Sequence, residues 1–120
     1  MARYLLDTDI CSYIMKRSHP ALLERIRGVP IADQALSAVT AAELLYGVKL
    51  SSKQKQAREA FHAFVRHLEV MEWPAEAAEH YADIRADLKR RGEMIGANDL
   101  LIAAHARSLK AILVTNNVRE

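Results

Sequence analysis

Asp7, Glu43 and Asp99 are distinguished by where they sit. Asp7 closes the apolar run Tyr4-Leu5-Leu6, Glu43 follows Leu36-Ser37-Ala38-Val39-Thr40, and Asp99 opens Leu100-Leu101-Ile102-Ala103-Ala104. Each acid marks a point where an apolar or small-residue stretch gives way to a helical pattern, and Asp7 does so after a short buried-strand signal. Carboxylates from such junctions, gathered in one crevice, repel one another and raise each other's pKa unless a cation neutralises them. Mg²⁺ is the natural choice, with Mn²⁺ as a substitute. These hard cations take oxygen ligands and keep several waters, so a few carboxylates suffice to position a metal-bound water against a phosphodiester. Such a hydrolysis needs no covalent enzyme intermediate.

Each acid taken singly has a plainer explanation. An acid in the first turn of a helix is stabilised by unpaired backbone N–H groups and the helix dipole. For Glu43, Thr40-Ala41-Ala42-Glu43 matches a capping box, and that is the stronger reading of this residue alone. Only the conjunction of the three acids favours a site. The alternatives are weaker still. His19, His62, His67, His80 and His105 form no HExxH or paired-ligand spacing, and they read as surface or packed residues. Cys11 is the one cysteine, which excludes an internal disulfide, and with no neighbouring histidine it is expected to be buried. No glycine-rich phosphate loop is present.

The elements that must position these acids follow from periodicity and punctuation. Tyr4 to Leu6 predicts a central strand, followed by a helix through Ile10, Tyr13 and Ile14 that begins in Asp7-Thr8-Asp9. Pro20 suits the first turn of a helix carrying Leu22, Leu23 and Ile26, which Gly28 and Pro30 stop. Ala35 to Val39 predicts a weak strand, and a helix with Leu44, Leu45 and Val48 follows. Lys53 to His67 is amphipathic, with Phe61 and Phe64 on its apolar face; Leu68 to Trp73 alternates like a strand that ends at Pro74. A helix spans Ala75 to Arg91, ended by Gly92, and a buried helix starts at Asn98-Asp99. Ala111 to Thr115 predicts a last buried strand. Strands separated by helices give an α/β fold with a short central parallel sheet and helices on both faces. Ligand crevices in such sheets lie beyond the carboxyl ends of the strands, the edge that carries Asp7 and Thr115-Asn116-Asn117.

At 120 residues, 51 % hydrophobic and 27 % charged, the chain is expected to form one domain with its own core. A net charge of +2 demands no nucleic-acid partner. Its distribution is more informative: Lys49, Lys53, Lys55 and Arg58 cluster, and Lys89, Arg90 and Arg91 form a second run. Solvated helix faces explain such runs most simply, and tracking an RNA backbone is the alternative. Tyr46, Trp73 and Tyr81 are expected to pack in the core or an interface before they stack on bases. No apolar stretch approaches the roughly 20 residues that span a bilayer, and a cytoplasmic location is expected.

The segments Leu5-Leu6-Asp7-Thr8-Asp9, Thr40-Ala41-Ala42-Glu43-Leu44, Asn98-Asp99-Leu100-Leu101-Ile102-Ala103-Ala104 and Val114-Thr115-Asn116-Asn117, in this order, resemble the PIN-domain nucleases, most closely the VapC toxins. The resemblance spans residues 1–120 as a single PIN domain. It implies a PIN-like fold and a Mg²⁺-dependent endoribonuclease that cuts transfer or ribosomal RNA to block translation. It further implies a homodimer held inactive by a VapB-type antitoxin. Carried over residue by residue, Asp7, Glu43 and Asp99 are the catalytic acids, with Asp7 and Asp99 holding the metal and Glu43 and Asn117 as further candidates. Thr8 and Thr115 are supporting residues, and Lys49, Lys53, Lys89, Arg90 and Arg91 are candidate RNA contacts. Two departures stand out. Asn117 occupies a position where many relatives carry a fourth acid, with Glu120 three residues on, and relatives usually continue through a phenylalanine into a last edge strand. Two rivals remain: a haloacid-dehalogenase-like phosphatase using Asp7 as nucleophile, and a catalytically inactive PIN-like binding module.

Overall fold

The computed structural model describes residues 3–115. Strand β1 (Tyr4–Leu6) leads through Asp7 into α1 (Thr8–Lys16), and α2 (Pro20–Arg27) follows with Pro20 at its start and Gly28 at its end. A 3-10 turn (Ile31–Asp33) precedes β2 (Gln34–Ser37), α3 (Ala38–Leu50), α4 (Gln54–Val65) and β3 (Glu69–Met71). The chain then runs through α5 (Ala77–Arg91), α6 (Ala97–Leu109) and β4 (Ile112–Val114). Gly92 ends α5 in the left-handed conformation, φ +68°, which a residue without Cβ adopts at little cost.

The strands form one parallel sheet in the order β3-β2-β1-β4. Moving along the chain from β1, the next two strands are added on one side and β4 on the other. The topological switch point therefore lies between β1 and β4, where a crevice opens beyond the strands' carboxyl ends. Alternation assigns the two faces. Leu5 and Ala35 pack with Ile102 and Ala106 of α6, whereas Leu6 and Leu36 pack with Ile10 and Cys11 of α1. The second face is closed by Leu22 and Ile26 of α2 and Phe64 and Val65 of α4. Cys11 is wholly buried, as expected of a structural thiol, and burial pushes its pKa far up. Trp73 donates its indole N–H to the Leu101 carbonyl at 2.9 Å, tying the segment after β3 to α6.

One expectation fails in an informative way. The capping box was expected to start α3 after Thr40, but the helix begins at Ala38 and its cap is Ser37, whose Oγ accepts from the Val39 N–H at 3.1 Å. The extended backbone of Ser37 (φ −73°, ψ 150°) ends β2 and begins α3 with no intervening loop. Thr40 is consequently inside the helix and fully buried, and its hydroxyl has no hydrogen-bond partner among the described residues. Glu43 is one turn further in, out of reach of the orphan N–H groups that a capping acid serves. The plainer reading of this carboxylate is thereby removed.

Candidate functional site

Asp7 is built into the switch point by its backbone as much as by its side chain. Its N–H donates to the Val114 carbonyl at 3.1 Å, extending the β1–β4 ladder by one bond, and its Oδ1 accepts from the Ile10 N–H at 2.9 Å as the cap of α1. The residue is 9 % exposed, and Thr115, just past β4, also hydrogen-bonds its side chain. Burial raises the Asp7 pKa; the bonds from Thr115 and Ile10 oppose this rise, and the negative fields of Asp9 and Glu43 reinforce it.

Glu43 reaches the same region from α3. Thr8 Oγ1 donates to its Oε1, and Asn98 Nδ2 donates to its Oε2 at 2.8 Å. Three helices are thus joined at one carboxylate: α1 through Thr8, α3 through Glu43 and α6 through Asn98. Asp99 follows directly in the first turn of α6, a helix whose cap, Gly96, makes no side-chain bond. Partial burial raises the Asp99 pKa first, and Glu43, Asp7 and Asp9 raise it further. The acids from three junctions therefore lie within one another's fields.

Asp7, Asp9, Asp99 and Thr115 line one end of an open cleft of about 660 Å³. Its walls carry residues that sequence reasoning missed as site residues: Asp83 and Asp87 on α5, Arg107 on α6, and Asp9. The signal was present as spacing. Asp83, Asp87 and Arg91 recur every four residues along α5, and Arg107 lies two turns beyond Asp99, so each set falls along one side of its helix. Of the basic candidates, Arg91 lines the cleft, where Asp87 and Glu93 pair with it at 3.2 Å each. Lys49, Lys53, Lys89 and Arg90 are exposed and do not line it. Asn117 and Glu120 lie outside the described residues. His105 is fully buried, and burial lowers its pKa, so it is a neutral core imidazole remote from ligand chemistry.

The donor set suits one class of ion. Among the described residues no three His, Cys, Asp or Glu side chains form a ready-made metal cage. The available donors are carboxylate oxygens on separate elements, with hydroxyl and amide groups between them. Such a set fits a hard cation that retains most of its water, as Mg²⁺ does, and is poorly matched to Zn²⁺, which prefers closely placed nitrogen and sulfur ligands.

The sequence matches the PIN domain family over residues 4–119. The chain is 38 % identical over its full length to ribonuclease VapC2 of Haemophilus influenzae, covering 90 % of that protein. The chain belongs to the PIN-domain family, among the VapC proteins. It is equally similar, 38 % over the same shares, to the tRNA(fMet)-specific endonuclease VapC of Shigella flexneri. The VapBC2 structure from Rickettsia felis, bound to a DNA fragment from its promoter, superposes with a TM-score of 0.89 at 35 % identity, over 97 % of this chain and 89 % of that one. Membership of the PIN-domain family sets the haloacid-dehalogenase-like reading aside.

Proposed function

We propose that this chain is a Mg²⁺-dependent endoribonuclease toxin that cuts a transfer or ribosomal RNA, stops translation, and is neutralised by a VapB-type antitoxin. The observation that carries this reading is that Asp7 and Asp99 line one open cleft at the β1–β4 switch point, with Glu43 close enough to raise the pKa of both. The ribonuclease and endonuclease names of its full-length relatives support RNA as the substrate class, and the VapBC complex supports the antitoxin.

Asp7 and Asp99 would hold the ion, with Glu43 beside them. When bound, Mg²⁺ supplies charge neutralisation and a polarised water for attack at phosphorus. The chain's own part is orientation. Asp7 is fixed by its cap bond and by Thr115, Glu43 by Thr8 and Asn98, so neither carboxylate must be ordered when RNA arrives. An apolar groove of about 490 Å³, lined by Ile14 of α1, Leu23 and Ile26 of α2 and Phe64 of α4, offers surface for a partner segment away from the acids.

The test is incubation of the purified chain with total RNA, with Mg²⁺ and with a chelator, followed by mapping of the new ends. Discrete cuts that need Mg²⁺ and vanish in Asp7→Asn and Asp99→Asn are expected. Wild-type cleavage by both variants, with folding preserved by circular dichroism, would refute the assignment. Mg²⁺ binding without any cleavage would favour the inactive binding module.

A further inference from the structure

The Glu43 carboxylate is held less by its own backbone than that of Asp7. Asp7 is held by the first turn of its own helix, whereas Glu43 projects from the second turn of α3 on a longer side chain. Its orientation depends on two side-chain donors, Thr8 on Oε1 and Asn98 on Oε2. Thr8 is a supporting residue by family resemblance. Asn98 has no assigned role.

The plainest role for Asn98 is that of a polar residue at a helix start, where asparagine is common. The geometry is different. The cap of α6 is Gly96, and the Asn98 amide is turned away from its own helix toward α3, making a 2.8 Å bond to a residue 55 positions earlier. An ionised carboxylate can only accept, so Asn98 must present its NH₂ group, and neither an acid nor an apolar side chain could replace it. Each Glu43 oxygen, with one donor in place, keeps a second lone pair for a water molecule.

We propose that Asn98 is a positioning residue: its amide holds the Glu43 carboxylate in the orientation in which Thr8 takes the other oxygen, so that α3 and α6 present their acids as one surface to a hydrated cation. The inference rests on the metal-site reading above. Groups that orient the residues around a metal typically change its affinity by roughly 10–100-fold when removed.

The test is a double-mutant cycle read by Mn²⁺ binding, with electron paramagnetic resonance of the free ion as the signal, on the wild-type chain, Asn98→Ala, Glu43→Gln and the double variant. Asn98→Ala is expected to weaken Mn²⁺ by about 10-fold. The double variant is expected to bind no more weakly than Glu43→Gln alone, because Asn98 acts through Glu43. Asn98→Ala, whose lost bond is exposed, should leave the metal-free melting temperature unchanged, which separates positioning from folding. Additive effects in the cycle, or unaltered Mn²⁺ affinity in Asn98→Ala, overturn the proposal while the metal site stands. A wild-type chain that binds no Mn²⁺ removes the metal-site reading, and this inference with it.

Discussion

Asp7 donates its backbone N–H to Val114 at 3.1 Å while its carboxylate caps α1. One residue thus extends the central ladder, starts a helix and faces the cleft. These duties can be separated by substitution. Asparagine keeps the shape and the capping oxygen but loses the charge; alanine loses both. Asp7→Asn is therefore expected to abolish cleavage, a loss above roughly 100-fold, with its fold intact, and Asp7→Ala to be less stable than Asp7→Asn by about 1 kcal/mol. Urea unfolding and RNA cleavage on the same preparations check both. Equal stability of the two variants would show that the cap contributes nothing.

The same carboxylate makes the metal-free protein sensitive to pH. A carboxyl whose pKa is raised on folding binds more protons in the folded chain than in the unfolded one. Stability then falls as pH rises from the ordinary value of 3.8 through the raised value, and the penalty is fully present only above the raised value. Asp7 and Asp99 share this direction, and the more exposed Asp99 contributes less because water screens it. With chelator present, Asp7→Asn is expected to melt higher than wild type by a few degrees at pH 7, and this advantage should shrink toward zero below pH 3.8. Mg²⁺ at pH 7 should raise the wild-type melting temperature and leave Asp7→Asn almost unmoved. A difference between the two chains that ignores pH would contradict the shared electrostatic origin.

Much of this was legible in the residues, and the exceptions are physical. The strand-to-helix junction at Asp7 could be read because an apolar strand, an acid and a helical period stand in immediate succession. Pro20, Gly28 and Gly92 fixed helix ends through backbone rules that tertiary context seldom overrides. The start of α3 departs from the sequence pattern because Thr40 and Glu43 satisfy the capping box, while Ser37, three residues earlier, is the better placed cap at the end of a buried strand. The role of Asn98 is not legible in the sequence, since its partner lies 55 residues away and no local spacing encodes that bond. The cleft walls of α5 and α6 required the two helices to be placed side by side before Asp83, Asp87 and Arg107 could be seen to share a space.

Placement in the cleft also reorders the basic residues. Arg91 is paired with Asp87 and Glu93, whereas Arg107 has no ion pair with any described residue. If RNA enters this cleft, Arg107 should contact phosphate and the exposed Lys89 and Arg90 should matter less. Binding of a labelled single-stranded RNA in the Asp7→Asn background, followed against salt, measures this directly. Arg107→Ala is expected to flatten the log–log slope by about 0.7, the value of one lost phosphate contact, and Lys89→Ala to leave it nearly unchanged. The reverse ranking would place the RNA on the outer face of α5.

Stability away from the site offers a control. Lys110 ends α6 with φ +55°, a left-handed conformation that a side chain adopts at a cost and glycine adopts freely. Its N–H bonds the carbonyls that close the helix, so the backbone geometry is needed while the side chain is exposed. Lys110→Gly is expected to stabilise the fold by up to about 1 kcal/mol, because relief of the strained conformation outweighs the greater freedom that glycine gives the unfolded chain. Its Mn²⁺ affinity and cleavage rate should match wild type, since Lys110 lies at the opposite end of α6 from Asp99. Together with Asp7→Asn this forms a contrast: two variants that both raise the metal-free melting temperature, of which one retains cleavage. A Lys110→Gly chain that gained stability and lost activity would tie the end of α6 to the acidic site and break that separation.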